Sequence, residues 1–318
     1  MMQYKIVEPN SYLMHYGVKG MKWGVRKEYV PKGRKTSAKS KGAVSDFASS
    51  NPELTTYAVA AAAMLAMHGA KRVSDLHKQG WFREKYTESD IKKVKTTKEG
   101  DLKVINPIPG VSDDLLKEVS DTQDIMKLSP NDRHLINKAL KDGWLTNCVY
   151  CTTAAELRRR GYDVEAKNSP GRGHAAGQTM KWWKGSKYEN FMGESVSNPK
   201  KADKFVMDTI KREEKSSSRN AEQQMAHMAK VLGSQGVGAH GDLLVKSAFS
   251  GHSVEYAVEK SGVKIYDNQF KRKYDSVDEF FKVNSDFYPH RSTFIRFDTC
   301  EPDIDAMLKD HVIKPRGN

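Results

Sequence analysis

The stretch HSVEYAVEKSGVKIYDNQF, residues 252–270, constrains the fold more than any other part of the chain. HSVEYAVEK and VKIYDNQF carry apolar residues at alternate positions, the period of a strand, and Ser261-Gly262 between them is a tight-turn signal. Two strands joined so closely run antiparallel, about 4.8 Å apart, and residues at the matched ends of the hairpin come within reach of each other. His252 opens the first strand behind Ser250-Gly251, and Asp267 stands at the far end of the second. The hairpin is expected to bring that pair together.

A helix signal lies upstream, in TNCVYCTTAAELRRRGYDVEAK, residues 146–167. TTAAELRRRG reads as a helix ending at Gly161, because glycine takes the left-handed conformation at a helix C-terminus without penalty. YDVEAK then alternates as an edge or half-buried strand. Residues 199–232 give two helical patterns split by Ser216-Ser217-Ser218. Helix and strand patterns alternate from Asp101 to about Thr299, so the expected fold class is α+β, with one domain over residues 101–299 and a C-terminal tail over 300–318. No internal repeat is present.

Residues 1–45 are rich in Lys, Gly and Ser and lack sustained apolar periodicity, which predicts a flexible basic arm. Residues 46–100 read as an Ala-rich helix and a charged linker. The longest uncharged run, Leu54 to Ala70, is mostly alanine and falls short of the ~20 apolar residues that span a bilayer, so no stable membrane insertion is expected. A formal net charge of +13 favours acidic partners, including nonspecific contact of the arm with nucleic acid. Three cysteines in 318 residues make no disulfide framework, and the opening MMQYKIVEPN has no signal-peptide pattern, which points to synthesis in a reducing cytoplasm.

Two of the cysteines form C-x-x-C at the head of this first helix pattern. A thiol attacks as a thiolate, and a helix N-terminus favours that form through its free N–H groups and the positive end of its dipole. Asn147 is a preferred N-cap type, which puts Cys148 at the first helical position and Cys151, the alternative nucleophile, one turn inside. A cysteine nucleophile needs a base, and the base an orienting group; among ten histidines, His252 with Asp267 fits by local pattern. On the residues alone, packing and a redox pair remain alternatives. A metal site does not follow, since one C-x-x-C without a second pair lacks the ligand pattern of structural zinc, and no cofactor is expected.

The motifs Ile105-Asn106-Pro107, TNCVYCTTAAELRRRGYDVEAK, GAHGDLLV from Gly238, and GHSVEYAVEKSGVKIYDNQ through Gln269 resemble the papain-fold toxin domain associated with glutamine deamidation, which recurs in polymorphic toxins and in phage minor head proteins. The resemblance spans roughly residues 101–299. It implies a papain-like cysteine hydrolase domain, with a nucleophile helix followed by an antiparallel sheet, in which Cys148 is the nucleophile, His252 the general base and Asp267 the orienter. Asn147 and Gln269 are then oxyanion or supporting residues. Two positions depart from the pattern: residues 141–147, KDGWLTN, lack the Gln that papain-like enzymes place before the nucleophile, and Asp267-Asn268-Gln269 stands where Asp-Pro-Gln is common. His240 and His174 are expected to be dispensable.

A second resemblance lies in LMHYGVKGMKWGVRK, Leu13 to Lys27, which is similar to a segment in head-associated proteins of phages that infect Gram-positive bacteria. Its aromatic residues interleaved with Lys, Arg and Gly suit a peptide that folds on docking. Together the two imply a phage-associated effector, made in the bacterial cytoplasm and carried with the virion to a target cell, that docks on head or portal proteins through residues 13–27. Its substrate is a protein, and its reaction turns glutamine into glutamate. A cysteine peptidase with the same triad and a non-catalytic phage structural component are the alternatives.

Overall fold

The computed structural model describes residues 86–93, 108–122, 127–169, 176–216, 220–247 and 251–316. The basic arm, the Leu54–Ala70 run, Ile105–Pro107 and His174 lie outside them.

Seven antiparallel strands make the main sheet. In chain order, the strands of the structure are β1 (Val164–Ala166), β2 (Trp183–Lys184), β3 (Tyr188–Asn190), β4 (Ser195–Val196), β5 (His240–Ser247), β6 (Gly251–Glu259), β7 (Gly262–Asp267), β8 (Arg272–Tyr274), β9 (Phe287–Arg296), β10 (Glu301–Pro302) and β11 (Ile313–Pro315). The sheet runs β4-β3-β9-β5-β6-β7-β8. The predicted hairpin is β6–β7, closed at the pair Glu259 and Gly262. Gly262 has φ +117°, a conformation other residues rarely adopt. The architecture is mixed α and β with antiparallel sheets, as expected for α+β.

Helices cover both faces of this sheet. They are α1 (Asp113–Thr122), α2 (Pro130–Asp142), α3 (Cys148–Arg159), α4 (Ala176–Trp182), α5 (Pro199–Ser216), α6 (Ala221–Gly233), α7 (Val277–Val283) and α8 (Ile304–Lys309). Successive residues of a strand face opposite ways. Accordingly Leu243 and Phe294 pack with Met228 of α6 and Phe280 of α7, while the next residues, Leu244 and Ile295, pack with the α3–α5 side. Every residue of β6 from Gly251 to Val258 is therefore buried, whether apolar or polar. A third cluster joins α1 and α2 to Phe270, just beyond β7.

Local chemistry explains several helix ends. Ser129, Asn220, Ser276 and Asp303 each accept a bond from the amide three residues on and so cap α2, α6, α7 and α8. The last helical residue of α3 is Arg159, with Gly161 at φ +92° just beyond it, where the sequence places the stop. Two expected boundaries are corrected by packing. The domain begins before Asp101: Ile91 is buried in the core and the Lys92 carbonyl accepts from the Asp163 amide at 2.8 Å. Residues 300–316, expected as part of a C-terminal tail, belong to the fold, because β11 pairs with β1 and Ile304, Met307, Val312 and Ile313 lie in the core around α3.

Candidate active site

The N-terminus of α3 meets the end of the β6–β7 hairpin. One step on from the pair Glu255 and Tyr266, Asp267 lies opposite Val254, which makes it a diagonal neighbour of His252. His252 Nε2 is 2.8 Å from Asp267 Oδ2. The Cys148 side chain also acts on this buried imidazole and is among the groups that raise its pKa. Cys148, His252 and Asp267 are all buried, with 5%, 2% and 3% of their surfaces exposed. Phe287 and Phe270 flank the imidazole, with ring centroids 6.0 and 6.2 Å from it.

Burial disfavours a charged imidazole, yet the Asp267 carboxylate, its hydrogen bond and the Cys148 sulfur together push the His252 pKa up to about 10. The imidazolium is therefore the stable form at neutral pH. Asp267 is fixed in turn by its own turn: Oδ1 accepts from the amides of Gln269 at 3.0 Å and Phe270 at 3.1 Å. The Asp-x-Gln spacing thus builds an Asx turn that aims the other carboxylate oxygen at His252.

Asn147 and Gln269 meet, but as a latch. Gln269 Nε2 donates to Asn147 Oδ1 at 3.0 Å, the Cys151 thiol donates to the same oxygen at 3.3 Å, and Asn147 Nδ2 donates to the Lys167 carbonyl at 2.8 Å. With its side chain drawn into these three bonds, Asn147 occupies the N-cap position of α3 without a capping bond and ties α3 to Lys167 and to the turn after β7. Cys151 is fully buried and held by Asn147, which leaves Cys148 as the cysteine at His252.

Four residues around Cys148 escaped the sequence reading. Thr152 Oγ1 donates to the Cys148 carbonyl at 3.1 Å, the Ser253 hydroxyl lies 3.1 Å from Thr152 Oγ1, and Ser253 donates to Asp242 at 2.6 Å. Burial pushes the Asp242 carboxyl up to about 7, against the Ser253 bond and the His252 charge. Lys246, near the end of β5, is 8% exposed. The available signal was polar residues inside strands that are otherwise apolar, GDLLVKS and GHSVEYAVE, but it appears only once both faces are known to be covered.

His240 stands apart from this cluster, with Nε2 at 3.1 Å from Glu156. It lines a cavity of about 260 Å³ together with Arg159, Glu259 and Tyr266, and none of Cys148, His252 and Asp267 borders it. Among the described residues, no group of three His, Cys, Asp or Glu side chains is placed to hold a metal ion. No described helix is long and apolar enough to cross a membrane.

The described residues thus define an α+β protein with a buried Cys-His-Asp cluster at a helix N-terminus. Among known proteins, a family of unknown function (DUF7211) matches residues 7–29, which enclose the Leu13–Lys27 segment. No curated protein and no solved structure matches the chain.

Proposed function

We propose that this protein is a papain-like cysteine hydrolase that deamidates glutamine in a protein substrate. The observation that carries the reading is the placement of His252 between Cys148 and Asp267, with Cys148 as the first residue of α3. The reading is supported further by the motif order Asn-Cys, Gly-His and Asp-x-Gln, which resembles the deamidase-associated domain.

The chemistry follows from the positions. The Cys148 thiolate attacks the carboxamide carbon, and the carbonyl electron pair moves onto oxygen. The α3 amides of Cys148 and Val149 receive no capping bond from Asn147, so the first turn offers N–H donors to that oxyanion. His252 gives its proton to the nitrogen, the C–N bond breaks and ammonia leaves a thioester. Water, deprotonated by His252, then attacks the thioester; the C–S bond breaks, and glutamate and the thiolate are released. Asp267 keeps the imidazole oriented throughout. The phage-type segment at residues 13–27 supports delivery with a virion, as a docking peptide for head proteins.

Wild-type protein incubated with a bacterial lysate is expected to yield intact proteins carrying Gln-to-Glu changes, with release of ammonia, and Cys148→Ala to yield neither. Mass spectrometry reads both. New protein termini that depend on Cys148, without Gln-to-Glu changes, would reassign the enzyme as a peptidase.

A further inference from the structure

Lysine is almost never buried without a carboxylate partner. The described chain follows that rule at Lys264, whose Nζ lies 3.2 Å from Asp275, and at Lys314, 2.7 Å from Glu165. Lys246 breaks it. Its side chain is as buried as that of Lys264, no carboxylate among the described residues pairs with it, and burial pushes its pKa down while the Cys148 sulfur acts to raise it.

The strand register explains how it gets there. Lys246 is paired across the sheet with Gly251, the residue before His252. Gly251 shares a sheet face with Ser253, whose hydroxyl touches Thr152 of α3. A Cβ on Gly251 would lie 2.5 Å from Lys246 Nζ and 2.8 Å from its Cδ, so the lysine stem lies directly over the glycine Cα. Glycine in the Gly-His motif therefore has a specific use: its missing side chain is the space through which Lys246 reaches the head of α3.

We propose that Lys246 is a charge-stabilising residue of this site, whose ammonium faces the Cys148 sulfur and holds it as the thiolate. The assignment rests on Cys148 being the nucleophile proposed above. It divides labour between two cations. His252 must surrender its proton to the leaving nitrogen and is neutral while the thioester stands, whereas Lys246 is assigned no proton transfer and holds its ammonium, against burial, through the favourable pull of the neighbouring sulfur. When the C–S bond breaks and the thiolate reforms, a cation is already in place to receive it.

The titratable groups around Cys148 come from several elements: His252 on β6, Lys246 and Asp242 on β5, and Asp267 on β7. The test is the rate of Cys148 alkylation by iodoacetamide as a function of pH, read on the Cys148 peptide by mass spectrometry in the full-length chain. Lys246→Met, which matches the stem and removes the charge, is expected to move the profile up by about one pH unit, a roughly tenfold slower reaction on its acidic limb. Lys246→Arg is expected to retain the wild-type profile, and Gly251→Ala, which leaves the lysine in the sequence but displaces its head, to shift it in the same direction as Lys246→Met. The Arg and Ala variants decide the matter if Lys246→Met does not fold. Wild-type and variant profiles that superimpose, with Cys148 still reacting at acidic pH, would overturn the role of Lys246 and leave the nucleophile reading standing. An ordinary thiol profile in the wild type would overturn both.

Discussion

At the scale of single residues, the site is a set of polar groups that tolerate burial only because each is held by another. Asp267 divides its oxygens between two turn amides and His252, and His252 in turn is acted on by both Asp267 and Cys148. The pairing has a pH signature. Because the folded pKa of His252, about 10, lies above the ordinary imidazole value, its stabilisation is complete below about pH 6.5 and is lost as pH rises through about 10. Removing the charge of one partner of a buried pair costs about 3–5 kcal/mol. Asp267→Asn is thus expected to lower stability by about that amount at pH 6, with the gap to wild type narrowing towards pH 10; urea unfolding at a series of pH values measures it. A gap independent of pH would mean that the two residues are not coupled as an ion pair. His252 and Asp267 were legible because a hairpin makes neighbours of residues close in sequence. The work of Asn147 was not, since its partners, Lys167 and Gln269, come from distant segments.

At the scale of elements, α3 is unusual in having no solvent face along most of its length: Cys148 to Arg158 are all buried. An amphipathic pattern cannot announce such a helix, and its polar residues become internal anchors. Glu156 is fully buried and receives Arg160 Nε at 2.6 Å, Arg159 Nε at 3.5 Å and His240 Nε2 at 3.1 Å, while Arg159 pairs in turn with Glu255 of β6. Hydrogen bonding to Glu156 raises the His240 pKa against the opposing effect of burial. This knot pins the C-terminal end of α3 to the sheet, and the Asn147 latch pins the other, so the nucleophile sits on an element fixed at both ends. Glu156→Ala leaves Arg159 and Arg160 short of their shared anion and His240 without its partner, and is expected to cost about 3–5 kcal/mol, read as a fall in the urea midpoint. An unchanged midpoint would show that Glu255 alone suffices to hold Arg159. His240, which read as dispensable, belongs to this structural knot and not to the Cys148 cluster.

At the scale of the whole molecule, the chain closes on itself through its last described segment. Ile304, Met307, Leu308, Val312 and Ile313 enter the core around α3, and β11 supplies the partner of β1, the strand that follows α3. Burying one such side chain contributes about 1.5–3 kcal/mol, so five rival the ~5–15 kcal/mol total stability of a typical domain. A chain truncated after Thr299 is expected to lose cooperative thermal unfolding, by calorimetry; retention of a sharp transition would show that α8 and β11 are accessory. Sequence alone determined what depends on neighbours along the chain: the period-two hairpin, the capped and glycine-terminated helices, and the nearness of His252 to Asp267. Tertiary structure decided what depends on distant segments: that both faces of the sheet are covered, so that polar residues in β5 and β6 are internal, that residues 300–316 are core, and that Lys246 crosses Gly251 towards Cys148. A strand's pattern records its own alternation, but only the helices packed upon it determine which of its faces exclude water.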